Sequence, residues 1–470
     1  MTRTSPPYRA DHVGSFLRPQ GLLEARERHA RGELPAEELR AIEDEAIRDL
    51  VRRQEEVGLR GITDGEFRRT FFHVDFLEQL DGVSVKEGSF VATFRRDDGT
   101  EVGFKPPTMY VGAPVRHSRS IQGRDFEFLA SVTRGTPKVC IPSPSMLHFR
   151  GGRQAISEAV YPELDAFYTD LAAAYREEIR DLAARGCRYL QMDDTNLAYL
   201  CDDAIRAATR ARGDDPDELP RLYCRLINEA IAGRPADMAV CIHLCRGNYQ
   251  SAWVAQGGYE PVAEILFNEL AVDGFFLEYD DQRSGDFAPL RFVPAGKTVV
   301  LGIMSSKRPE VEDEEALKRR IEEAARHVTL DQLALSPQCG FASTVHGNLL
   351  TEDDQWRKLE RAVEVAREVW ESERFSEFAP DLAPIQRFAW DNQSTYAERS
   401  FQENRRSMRL SSSATILQTC SKWPVNVSCC FRAWCANWAA SLLPECPFTF
   451  ERMSCTVRSP SSLRASAALE

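Results

Sequence analysis

From its start to about Trp370 the chain alternates short apolar, β-branched runs with longer amphipathic stretches. That rhythm restricts the fold to a parallel sheet wrapped by helices. Candidate strands lie at 10–15, 59–66, 138–145, 188–194, 238–245, 274–280, 298–304 and 332–340. Between them, residues 35–58, 161–186 and 313–328 repeat apolar side chains every three or four positions, as a helix with one buried face does. Eight strands are what a closed barrel requires, so the expected fold class is α/β, a (β/α)8 TIM barrel. Residues 85–135 interrupt the rhythm with polar, turn-rich text, which predicts an inserted hairpin or lid after the second strand.

The barrel is thereby expected over 1–375, and 376–470 as an irregular Cys/Ser/Arg-rich tail, non-native or disordered. Six of the thirteen cysteines (Cys420, Cys429, Cys430, Cys435, Cys446 and Cys455) fall in that tail without the paired spacing of a zinc site. A translated frameshift or read-through accounts for it; a metal-binding or interaction tail is the alternative. A formal net charge of -13 argues against a nucleic-acid or anionic-membrane surface and favours small-molecule partners. The N-terminal text has no apolar signal core and no stretch reaches the length of a membrane span, so a cytoplasmic location is expected.

The sharpest local signal is IHLCRGN (242–248), which sets His243 and Cys245 two residues apart at the end of an apolar strand, hence on one face. Alone, that spacing equally fits a buried histidine beside a buried cysteine. Cys339 in SPQCGF, at the end of the eighth strand, adds the third soft ligand that a catalytic Zn2+ commonly has. Barrel chemistry gathers at the carboxyl ends of strands, where all three residues sit. Glu278, ending the sixth strand, fits two roles, a fourth ligand or a hydrogen-bonding acid. Ser15, Asp64, Glu66, Ser143, Ser145, Asp193 and Asp194 also lie at strand ends, where helix capping competes with substrate contact for each. Sulfur-rich coordination suits a metal whose task is to take the proton from a thiol rather than from water.

The segments VGSF, TDGE, LQMDD, HLC, FFLEYD and SPQCGF occur in an order that resembles the catalytic half of cobalamin-independent methionine synthase, over about residues 8–370. Stand-alone, single-barrel homocysteine methyltransferases are the most similar in layout. The resemblance implies zinc held by His243, Cys245, Glu278 and Cys339, with Ser15, Glu66 and Asp193 holding the amino and carboxylate groups of homocysteine. It implies methyl transfer to the homocysteine thiol, giving methionine. The implied donor is 5-methyltetrahydrofolate in its tri- or polyglutamate form or a methyl-corrinoid, the latter with a corrinoid protein as partner. QMDDTN and SPQCG depart from the usual DEPA-like and NPDCG runs, and the catalytic barrel begins almost at residue 1.

Two rival readings stand beside it: an epoxide:coenzyme M-type thiol transferase, whose sulfonate would need Arg18, Arg68, Arg69 or Arg150, and a non-catalytic zinc- or corrinoid-binding barrel. His73, His148 and His346 are candidate proton donors to the leaving group, each with a structural role as the alternative.

Overall fold

The computed structural model describes residues 4–371 apart from 87 and 89–91; the tail expected over 376–470 lies outside them. The fold is mixed α/β. Its strands are β1 (Gly61–Ile62), β2 (Asp81–Lys86), β3 (Ala92–Arg95), β4 (Glu101–Phe104), β5 (Thr108–Arg116), β6 (Thr136–Pro137), β7 (Val139–Pro142), β8 (Tyr189–Asp194), β9 (Ala239–Leu244), β10 (Gly274–Glu278), β11 (Thr298–Met304) and β12 (Leu333–Pro337). A parallel six-stranded sheet runs β7 to β12 in sequence order. Parallel pairing also joins β1 to β6, Ser15 to Gly65 and Ala10 to Leu335 of β12.

Alternation along these strands divides them between two apolar clusters. Leu190, Met192, Ile242, Leu244, Phe275, Leu277, Val299, Leu301, Leu333 and Leu335 pack outward in a large cluster shared with helices such as Leu164–Ala184 and Leu219–Ala230. Their neighbours Tyr189, Cys241, Phe276, Val300 and Ala334 turn to the opposite face, where they meet Tyr8 and Val13. No helix among the described residues is long and apolar enough to cross a membrane.

The first two expected strands are far less regular than their hydrophobicity suggests. Residues 10–15 make only isolated bridges, because side chains take over the backbone bonds a ladder would use. Asp11 accepts from Tyr8 N and His12 N, Thr63 Oγ1 donates to Gly14 O at 2.6 Å, and the Gln54 side chain pairs with both backbone groups of Thr63. The interruption expected over 85–135 also has different limits. β2 pairs antiparallel with β5 and β3 with β4, so the antiparallel part runs from Asp81 to Arg116. A helix, Gly123–Val132, follows it with Phe126 and Leu129 buried.

Two of the buried histidines, His12 and His148, are expected to make the fold sensitive to acid. His12 donates from Nε2 to Gly61 O (2.9 Å), and His148 Nδ1 lies 2.8 Å from Tyr223 Oη. Burial pulls both imidazoles from the usual 6.5 to about 4. The unfolded chain takes up these protons below about pH 6.5 while the folded chain does not, so stability is whole above that pH and declines as pH falls towards 4. Each unit of difference is worth about 1.4 kcal/mol. We expect His148→Gln to flatten the decline of the urea midpoint over that window; an unchanged slope would assign the acid sensitivity elsewhere.

Candidate metal centre

Four donors converge at the carboxyl ends of β9, β10 and β12. On β9 the two-residue period points His243, and Cys245 just beyond it, to the same face as Cys241; on β10 it does so for Glu278. Parallel register sets His243 opposite Phe276 on β10 and opposite Asp193 on β8. Cys339 lies two residues past β12. One ligand atom from each of His243, Cys245, Glu278 and Cys339 lies within 4.8 Å of all the others, and all four residues are buried. The two sulfurs are 3.4 Å apart. Glycines permit this crowding: a Cβ on Gly302 would meet Leu277 O at 2.8 Å, and one on Gly340 would meet Ser15 Oγ at 1.9 Å.

Glu278 Oε1 accepts from Arg246 N at 3.0 Å, but Oε2 has no hydrogen-bond partner. Neither ring nitrogen of His243 finds an oxygen or nitrogen partner. The Cys245–Cys339 contact draws the Cys339 thiol well below its ordinary range, helped by His243, and raises that of Cys245, as one proton shared between two sulfurs would. Burial acts to lower the His243 pKa, yet Cys339, Asp193 and Glu278 around it leave it raised. A soft divalent cation fits this set: buried polar atoms lacking partners, two sulfurs, an imidazole and a carboxylate are what metal coordination satisfies.

Beside it lies a second acidic group. Glu66, Asp193 and Cys140 also bring ligand atoms within 4.8 Å of one another, all buried. Glu66 sits in the left-handed region (φ 59) at a turn where its N–H donates to Asp64 Oδ1, and its Oε2 has no partner. Asp193 Oδ1 accepts from Gln191 Nε2 at 2.7 Å. Burial pushes both carboxyls up: Glu66 with Asp193 adding to the rise and Arg69 opposing it, Asp193 against the pull of His243, Gln191 and Arg69. Ser15 adjoins this pair through Gly65 and the Cys339 loop through Phe341 N, which donates to Ser15 O. Asp194 points the other way and accepts from Leu197 N through Oδ1 at the start of the helix Asn196–Tyr199, while Ser145 donates to its Oδ2.

All four arginines that a sulfonate pocket would need have partners within the fold. Arg18 donates to four backbone carbonyls, of Ala342, Thr344, Glu66 and Arg69. Arg68 pairs with Asp44, Glu43 and Asp125, and Arg69 holds Cys140 O, Gln122 and Glu66. Arg150 meets His73 Nε2 at 3.0 Å. His148 is packed among Tyr168 and Tyr223, whereas His346 joins Tyr249 and Phe104 in an aromatic group where the β3–β4 hairpin meets the loop after β9. Sequence patterns gave no sign of Cys140, which sits between Val139 and Ile141 inside β7 and reads as a core residue, or of Lys307, which follows the polar pair Ser305–Ser306 and whose buried Nζ lacks a partner.

A family model described as cobalamin-independent synthase, catalytic domain, matches residues 9–368. The chain belongs to this family. It is 47% identical over 366 residues to the uncharacterized protein YxjH of Bacillus subtilis, an alignment covering 77% of this chain and 95% of that one. A methionine synthase of Pyrococcus abyssi is 22% identical, with 76% of this chain and 90% of that one covered. Among solved structures, the putative vitamin-B12 independent methionine synthase of Listeria monocytogenes superposes with a TM-score of 0.62 at 42% identity, covering 78% of this chain and 99% of its own. In this synthase-family chain the donor set and the acidic pair lie on one end of the sheet, within the matched residues.

Proposed function

We propose that the chain is a zinc-dependent S-methyltransferase that converts homocysteine to methionine within one (β/α)8 barrel spanning residues 1–375. The observation that carries this reading is the convergence of His243, Cys245, Glu278 and Cys339 on one point. Family membership places the chain among methyltransferases, and relatives named methionine synthase support the substrate. Support for the closed barrel comes from pairing that passes from β12 through residues 10–15 and β1 to β6.

His243, Cys245, Glu278 and Cys339 would hold the zinc. When bound there, zinc supplies Lewis acidity that lets a thiol lose its proton near neutral pH. Glu66 and Asp193 bind the substrate ammonium, whose charge relieves the repulsion between two buried carboxylates, and Ser15 faces the carboxylate. Held in this way, the homocysteine sulfur is aimed along one line at the methyl group of the donor, a gain in proximity rather than in intrinsic reactivity. The β3–β4 hairpin acts as a lid: Arg95 pairs with Trp253 in the loop after β9, and Phe104 stacks on Tyr249 at 4.3 Å. The donor is a methyl-folate or a methyl-corrinoid.

Elemental analysis of the full-length protein, followed by assays with homocysteine and each donor in turn, tests the proposal. About one zinc per chain and methionine from one donor are expected; no methionine from either would sink it. Glu66→Gln and Asp193→Asn should each raise the KM for homocysteine roughly 30-fold or more, the effect of removing one partner from a buried charge pair. Unchanged KM values would remove these acids from the substrate site.

A further inference from the structure

The segment after β11 carries a buried cation that the proposed function has not used. Lys307 is 5% exposed and its Nζ has no hydrogen-bond partner. The other buried lysines differ: Lys138 pairs with Asp11, Lys318 with Glu314, Glu315 and Glu368, and Lys358 with Glu312. Lys307 is held where it is by the loop that carries Cys339. Ser306 N donates to Gln338 Oε1 at 2.6 Å, Ser306 Oγ donates to Gly340 O at 3.1 Å, and Lys307 N donates to Ser305 Oγ. That places Lys307 beside the donor set: its segment leaves β11, whose Gly302 pairs with Glu278, and the residues that hold Ser306, Gln338 and Gly340, flank Cys339.

Charge counting shows why a cation is needed there. Ionised Cys245, Cys339 and Glu278 bring three negative charges, of which a divalent ion offsets two. An incoming thiolate adds another, and a buried, unbalanced charge is expensive. Arg246 is buried as well, but its guanidinium is engaged over the Tyr259 ring at 4.4 Å, and only its backbone N–H holds Glu278 Oε1. We propose that Lys307 is a positioning residue, the counter-cation of the donor set that receives the Glu278 carboxylate when the substrate thiol takes its place. The proposal rests on the metal and thiol reading given above. The exchange leaves every covalent bond of the protein intact; the thiol S–H bond breaks, the sulfur keeps the electron pair, and the proton passes to water.

Cobalt(II) in the full-length protein makes thiol entry visible without turnover, because sulfur joining the metal changes the visible absorption. The parent should respond saturably to homocysteine. Lys307→Met and Lys307→Gln should each bind about one cobalt per chain yet need at least about tenfold more homocysteine for half the change, with Lys307→Arg close to the parent. Neutral variants that titrate like the parent would overturn the role of Lys307 alone. Loss of cobalt binding in both would overturn it too, since Lys307 would then build the site rather than receive Glu278. A parent that binds cobalt but ignores homocysteine would instead remove the thiol reading, and this proposal with it.

Discussion

Replacing Cys339 by serine is expected to leave the protein folded, with zinc far below one per chain and methyl transfer lowered roughly a thousandfold, the several kcal/mol that a catalytic metal contributes. A serine hydroxyl stays protonated at neutral pH and is a poor soft-metal ligand, so the substitution removes a donor while nearly preserving volume. It also breaks the 3.4 Å sulfur contact that holds Cys245 in place. Folding should survive because Cys339 lies outside the strand ladder and its neighbours are tied independently, through Phe341 N to Ser15 O and Asn248 to Gly340 O. Elemental analysis, circular dichroism and the methionine assay check the three parts. A folded variant that keeps its zinc and activity within tenfold of the parent would end the metal proposal.

Lys138→Met should have the largest effect on stability. Lys138 and Asp11 are a wholly buried pair, with Nζ 3.0 Å from Oδ1, and the same Nζ donates to His12 O. Tyr189 Oη donates to the other Asp11 oxygen at 2.7 Å. Removing the lysine leaves a buried carboxylate without its counter-charge, a loss of about 3–5 kcal/mol. Burial opposes the Asp11 charge, but Lys138, His12 and Tyr189 together hold its pKa below the ordinary 3.8. In the parent this group therefore adds stability above about pH 4, and the contribution fades as pH falls through the folded-state value. Without Lys138 the sign reverses, since a raised Asp11 pKa favours folding at low pH. Urea unfolding at pH 7 and pH 5 reads both effects; a loss below about 1 kcal/mol at pH 7 would show that the pair is dispensable. The double variant with Asp11→Asn should recover part of the loss, because no buried charge is then stranded.

Much of the fold was legible because periodicity is a local property. The strand expected at 298–304 is β11 from Thr298 to Met304, and the helix expected over 35–58 runs Ala36–Val57. The strands nearest the N-terminus were harder to read, since Asp11, Thr63 and Gln54 satisfy backbone groups through side chains that leave no periodic trace. The same alternation distinguishes Asp193 from Asp194: one faces His243, the other accepts from Leu197 N at the start of a helix.

The sequence by itself determined which residues stand at strand ends and which way they point, because the two-residue period fixes side-chain direction within a strand. It set His243 beside Cys245 and gave the order of motifs that marks the family. Only the tertiary structure decided distance between segments far apart in the chain. Sheet register and close glycine contacts bring Cys339 across ninety-four positions to Cys245, turn Arg18 into a brace for backbone carbonyls, and leave the Lys307 ammonium buried without a partner. None of these has a local signature, since each depends on which parallel neighbour a strand finds and how deeply a loop is buried.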